Sequence, residues 1–135
     1  MTDPAAPAPQ ARRDNHWALG LAALLLVAGL VHFVAPEGFD DIIPRVLPGS
    51  ARSWTVLSGA VELLLAAGLA WPRTRRVAAT ATAAFLVAVF PANVQMAIDW
   101  ASRPAPEFAI ALVRLPLQFP LIWWAWRVRV HALHP

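Results

Sequence analysis

Four apolar stretches of about 20 residues each dominate this chain of 135 residues. They run over residues 17–35, 54–71, 77–98 and 109–126. As helices they would be about 27–33 Å long, which matches a hydrocarbon core of about 30 Å. The stretches are continuous in Ala and Leu and do not alternate with polar residues, as membrane strands would. The sequence therefore predicts an all-α membrane protein, a bundle of four transmembrane helices in a lipid bilayer.

Composition excludes several other classes of protein. Hydrophobic residues make up 59% of the chain and charged residues 14%, with a mean hydropathy of +0.54. Soluble domains carry about a quarter charged residues. The chain has no cysteine, which excludes disulfides, thiolate metal sites and cysteine nucleophiles. In so apolar a chain, the net charge of +3 indicates orientation in a membrane, and we expect no nucleic-acid partner.

The arginines predict the orientation, because cytoplasmic loops are enriched in basic residues. Three arginines, Arg45, Arg52 and Arg103, fall on one side of the predicted spans. Seven fall on the other side: Arg12, Arg13, Arg73, Arg75, Arg76, Arg127 and Arg129. Both termini are therefore predicted to be cytoplasmic. Residues 1–15 form a flexible cytoplasmic tail in this interpretation, residues 16–127 the membrane domain, and residues 128–135 a short cytoplasmic tail.

The connection between the first two stretches, residues 36–53, is amphipathic. Apolar residues recur there at helical spacing with Asp40, Asp41 and Arg45 opposite them. The apolar positions are Phe39, Ile42, Ile43, Val46 and Leu47. The pattern predicts a short interfacial segment, either a lid at the membrane surface or a capping loop packed on the bundle.

Two charged residues lie deep inside predicted spans. Glu62 is about 12 Å from the outer end of the second span, and Arg114 about 7–8 Å into the fourth. Each unpaired charge would cost about 2.5–3.5 kcal/mol on insertion scales. The sequence therefore predicts that Glu62 and Arg114 pair, either as part of a binding site or as a clamp between two helices.

Three further polar residues, His32, Asn93 and Gln118, fall in the same outer half of the spans. Together with Glu62 and Arg114 they are the candidate ligand-binding residues. The bundle contains a single histidine, so a haem with paired histidines is not expected, nor is a metal ion. We assign no catalytic residue. Pro91 and Pro116 lie near these residues and are expected to free helix carbonyls beside them.

Several segments, taken together and in this order, resemble the DoxX family of small bacterial four-helix membrane proteins. They are HFVAPEGFDDIIPRVLP, SGAVE, FPANVQMA and RLPLQFPLIWWA. The resemblance covers residues 17–126. It implies a location in the bacterial inner membrane and an association with redox enzymes. Because this chain lacks cysteine, thiol chemistry would have to occur on a partner protein, and the chain alone is not expected to be an enzyme.

Four functions remain open on the sequence. The chain is an accessory subunit of a membrane redox complex, or a subunit that binds a quinone through the candidate residues. Alternatively it is a small-molecule exporter or a stand-alone structural bundle that uses the Glu62–Arg114 pair.

Small residues at Thr80, Ala84, Ala88 and Ala92 predict helix packing within the bundle or between subunits of a homo-oligomer.

Overall fold

The computed structural model describes residues 9–132, with side chains from residue 14 onward. Its five helices are α1 (Pro9–Val34), α2 (Glu37–Asp40), α3 (Ala51–Ala70), α4 (Arg75–Asp99) and α5 (Ala105–His131). All except α2 are long and apolar enough to cross a membrane. The described residues contain no strand. The prediction of an all-helical chain with four apolar helices of membrane-spanning length is therefore confirmed.

Both terminal helices are longer than predicted. Residues 9–15 belong to helix α1 and are not a flexible tail; residues 1–8 lie outside the described residues. Helix α5 continues past residue 127 to His131 because Val128 is buried in the core.

The long helices form a closed ring of two tight pairs. Helix α1 packs along α3 and α4 along α5, with smaller contacts between α3 and α4 and between α1 and α5. Gly29 and Gly59 allow the α1–α3 pair to approach closely. A Cβ atom at Gly59 would lie 2.6 Å from the His32 Cβ, and one at Gly29 would lie 3.0 Å from the Gly59 carbonyl oxygen. Real Cβ atoms do not approach as closely as 2.6 Å, so position 59 requires glycine, and a side chain at position 29 would force α3 to shift.

The two pairs are held together mainly at the end of the bundle that carries the described chain ends, here called the terminal end. Trp124 donates a hydrogen bond of 2.9 Å to the Trp17 carbonyl. Arg75 Nε donates one of 2.9 Å to the Leu69 carbonyl, at the last turn of α3. A cluster of buried apolar residues, here called the dry cluster, fills the space between the pairs there. Its members are Ala18, Leu21, Ala22, Leu25, Leu65, Ala66, Leu69, Ala78, Ala79, Ala125 and Val128. This half of the bundle is closed.

The opposite end, here called the lid end, is closed by the connection after α1. A small cluster of Ile42, Met96 and Ala111 seals it. The predicted amphipathic pattern is correct up to Ile43 and wrong for Val46 and Leu47, which are 88% and 36% exposed. Helix α2 ends early because Pro44 has no N–H to donate and disfavours helical geometry at Ile43. We call residues 36–47 the lid.

The stripe of small residues on α4 does not pack inside the bundle. Thr80, Ala84 and Ala88 are exposed, and only Ala92 turns inward. The alternative that this stripe joins two helices of one chain is therefore wrong. The homo-oligomer prediction is unaffected.

Substituting Gly59 by alanine should loosen the α1–α3 pair. Overpacking typically costs about 1–3 kcal/mol, and the new methyl group would meet the Cβ of His32 on the facing helix. We expect the free energy of unfolding in detergent, measured by titration with a denaturing detergent, to fall by that amount. Gly38→Ala is the matched control, since a Cβ there meets nothing within 4 Å. Equal stability of the two variants would contradict the close packing described here.

Candidate ligand-binding cavity

A cavity of about 220 Å³ lies between the two helix pairs, beneath the lid. All five residues predicted from the sequence line it: His32, Glu62, Asn93, Arg114 and Gln118. They come from all four long helices. Phe39, Ile42 and Ile43 of the lid close the cavity from above. The structure therefore brings every candidate residue to one site.

His32 is the nearest charged or polar neighbour of Glu62. Its Nδ1 lies 3.3 Å from Glu62 Oε2 and 2.9 Å from the Ala28 carbonyl oxygen. A carbonyl oxygen can only accept, so Nδ1 must carry the proton and donate it to Ala28. The glycine at position 59 allows this arrangement because it lets the His32 backbone lie directly against α3.

The lid is stacked on the same histidine. The rings of His32 and Phe39 are 3.7 Å apart between centroids and inclined by 25°. His32 therefore lies between an aromatic ring of the lid and the Glu62 carboxylate. Any movement of the lid would change the surroundings of Glu62 through this one side chain.

The predicted Glu62–Arg114 salt bridge is not formed. Both side chains line the cavity, yet no described carboxylate lies within salt-bridge distance of Arg114, whose charge acts on Glu62 across the space between them. The depth of each residue along its helix was sufficient to predict their common level in the bundle. It was not sufficient to predict their distance, because α3 and α5 belong to different helix pairs.

Asn93 and Gln118 link the helices of the α4–α5 pair. Asn93 Nδ2 donates to Gln118 Oε1 at 3.1 Å, and Gln118 Nε2 donates to the Leu86 carbonyl on α4. The prolines were expected to free carbonyls beside the polar residues. The carbonyl that accepts from Gln118 belongs to Leu86. The carbonyl that loses its helical hydrogen bond to Pro91 belongs to the next residue, Val87.

Two cavity residues were not among the candidates. Thr55 is fully buried, and its hydroxyl lies near the Asp40 carboxylate without a hydrogen bond of good geometry. Ser58 lines the cavity together with Thr55 and Glu62. Their spacing of three and four residues along α3 places them on one face with Glu62. That spacing could have identified them. No group of residues in the described chain could hold a metal ion.

The comparisons with known proteins place the chain in one family. The profile of a family described as a domain of unknown function, DUF8561, matches residues 21–129. The chain belongs to this family. Neither the curated proteins nor the solved structures contain a match to it. The matched segment of this DUF8561 chain covers the second half of α1, the lid, α3, α4 and nearly all of α5. The resemblance to DoxX proteins remains a prediction.

An ion pair fastens the lid of the DUF8561 chain to α3. Arg52 Nε donates to Asp40 Oδ2 at 2.8 Å, and Arg52 also reaches Glu37 at 3.5 Å. The pKa of Asp40 is lowered from its ordinary value: the nearby Thr55 hydroxyl lowers it most, burial opposes this effect, and the Arg52 guanidinium lowers the pKa further. Because the pKa is lowered in the folded state, this contact stabilises the closed lid above the ordinary carboxyl pKa of about 3.9.

The closed lid should therefore loosen in acid. Its stabilisation is lost as the pH falls from about 4 through the lowered pKa of Asp40. We expect amide hydrogen exchange in residues 36–47, corrected for the intrinsic pH dependence, to rise over that range. Asp40→Asn should show raised exchange at neutral pH and no further rise in acid. Asp99→Asn, at an exposed carboxylate outside the lid, is the matched control and should behave as the unmodified chain does. An unchanged lid in Asp40→Asn would contradict the fastening role.

Proposed function

We propose that this chain is a DoxX-type integral membrane protein of the bacterial inner membrane that binds a quinone for a membrane redox complex. The single observation that carries the proposal is the convergence of His32, Glu62, Asn93, Arg114 and Gln118 on one cavity. Polar and charged residues inside membrane segments usually mark binding sites or pathways. In this protein they meet where the two helix pairs separate.

The size of the cavity suits the head group of a quinone. An engineered cavity of about 150 Å³ holds benzene, and the cavity here measures about 220 Å³. Its walls combine apolar side chains such as Phe85 and Val89 with a few polar groups, as is typical of small-molecule sites. Arg114 supplies a hydrogen-bond donor for a quinone carbonyl, and the isoprenoid tail would pass between the helix pairs into lipid.

The alternative of a structural clamp has less support. A clamp requires Glu62 and Arg114 to be in contact, and they instead face each other across the cavity. The exporter alternative also has less support, because the dry cluster closes the terminal end.

The proposed orientation places the terminal end and both chain termini in the cytoplasm. It is supported by the seven arginines on that side against three on the other. The lid and the cavity would then lie in the outer half of the membrane. This orientation is tested by placing a cysteine in the cavity and finding from which side of the membrane a thiol reagent modifies it.

The redox partner is proposed from the resemblance alone. Gentle purification of the tagged protein from native membranes, followed by mass spectrometry of proteins and lipids, tests it. A stoichiometric oxidoreductase subunit and a retained quinone are the expected result. A chain that carries only bulk lipid would contradict the proposal and favour a stand-alone bundle or a transporter.

Removing the donor in the cavity should weaken quinone binding. A hydrogen bond to a charged group contributes about 1.5–3 kcal/mol, so Arg114→Met, which has no donor, should lower quinone affinity about 10- to 100-fold while the protein remains folded. The measurement is quinone binding to purified protein in lipid nanodiscs. Arg45→Met, at an exposed arginine of the lid, is the matched control and should bind as the unmodified chain does. Unchanged affinity in Arg114→Met would contradict the proposed site.

A further inference from the structure

The charges around the cavity determine which chemical groups a ligand must present. Arg114 retains its proton in proteins, so it is a permanent cation. Among the described residues, Glu62 is the only carboxylate that lines the cavity. The interior of the bundle is therefore electrically neutral only when Glu62 is ionised, and a net charge in so apolar a region is costly.

The other elements around Glu62 do not change this balance. Helix α4 presents the neutral amide of Asn93, and the Asp40 carboxylate of the lid is already paired with Arg52. The His32 Nδ1 proton goes to the Ala28 carbonyl, so the proton is not available to Glu62. An ionised carboxylate and a guanidinium thus face each other with the cavity between them.

The Glu62 carboxylate has free acceptor capacity. Oε2 is enclosed next to His32 and makes no hydrogen bond within the described residues. Oε1 is the oxygen left for the cavity, which Glu62 lines. A ligand that fills the cavity must therefore offer a hydrogen-bond donor to Glu62 and an acceptor to Arg114. A group that offered only acceptors would place an oxygen lone pair against a carboxylate.

We infer that the cavity binds the reduced, hydroxyl-bearing form of a quinone, the quinol, in preference to the oxidised form. The inference rests on the proposed function and assigns the form of the ligand. A quinol donates one hydroxyl proton to Glu62, and its second oxygen accepts from Arg114. A quinone has two carbonyl oxygens and no donor, so only its contact with Arg114 is favourable.

The test compares the two forms on the full chain in lipid nanodiscs. Decylubiquinone and its chemically reduced quinol are titrated under anaerobic conditions, with empty nanodiscs subtracted. We expect the quinol to bind at least about tenfold more tightly, since a charge-assisted hydrogen bond contributes at least that factor. Equal binding, or a preference for the quinone, would overturn the inference and leave the proposed function intact. Binding of neither form would overturn both.

Two changes test the role of Glu62 in this preference. Glu62→Gln can donate as well as accept, so it should bring the affinities of the two forms within about threefold of each other. Glu37→Gln makes the same change at an exposed residue of the lid and should keep the preference. A preference that persists in Glu62→Gln would overturn the inference.

A change in the ligand gives the same information without any variant. The dimethyl ether of the quinol keeps both oxygens and loses both donors. We expect the unmodified chain to bind this ether no more tightly than it binds the quinone. Binding of the ether as tight as that of the quinol would show that no donor reaches Glu62, and would overturn the inference even if Glu62→Gln failed to fold.

Discussion

The permanent charge of Arg114 is the constraint on which the cavity depends. A guanidinium inside a helix of membrane-spanning length needs a compensating anion, because a lone charge is costly in hydrocarbon. The described chain offers one carboxylate at that level, Glu62, and holds it on the opposite wall of the same cavity. The two charges compensate each other at a distance instead of collapsing into a salt bridge. The space between them is the proposed binding site.

Close packing within each helix pair leaves the cavity between the two pairs. Gly29 and Gly59 bring α1 and α3 together, while the Asn93–Gln118–Leu86 hydrogen bonds join α4 and α5. Each pair is therefore closely packed along its length. The pairs meet through the dry cluster at the terminal end, and at the lid end they are bridged by Ile42, Met96 and Ala111. The cavity is enclosed between these two contacts, and its entrance is covered by the lid.

Much of this arrangement could be predicted from the sequence, because hydropathy and rise per residue determine depth in a membrane. The four spans follow from length and composition, and the level of Glu62, Arg114, Asn93 and Gln118 follows from counting along each span. Rotation about the helix axis and the order of helices around the bundle do not follow from such counting. For this reason His32, and not Arg114, is the nearest partner of Glu62.

The lid shows a second limit of sequence patterns. A helical spacing of apolar residues continued to Leu47, but the backbone requirements of Pro44 ended the helix before the pattern ended. The extra turns of α1 and α5 had no hydropathy pattern, and they follow from contacts with other helices. Asn15 accepts a hydrogen bond from Arg75, and Asp14 lies 3.4 Å from His131. Contacts between residues so far apart in the sequence cannot be predicted from the hydropathy of a short segment.

The most direct test of the cavity uses the absence of cysteine from the chain. Single cysteines at Ser58, in the cavity wall, and at Ala79, in the dry cluster, would be exposed to a small thiol reagent in sealed vesicles of each orientation. We predict that Ser58→Cys reacts when the reagent is added on the lid side, that a bound quinol slows the reaction, and that Ala79→Cys stays unreactive from both sides. An unreactive Ser58→Cys, or equal reaction of the two cysteines, would contradict a cavity enclosed between the lid and a dry core.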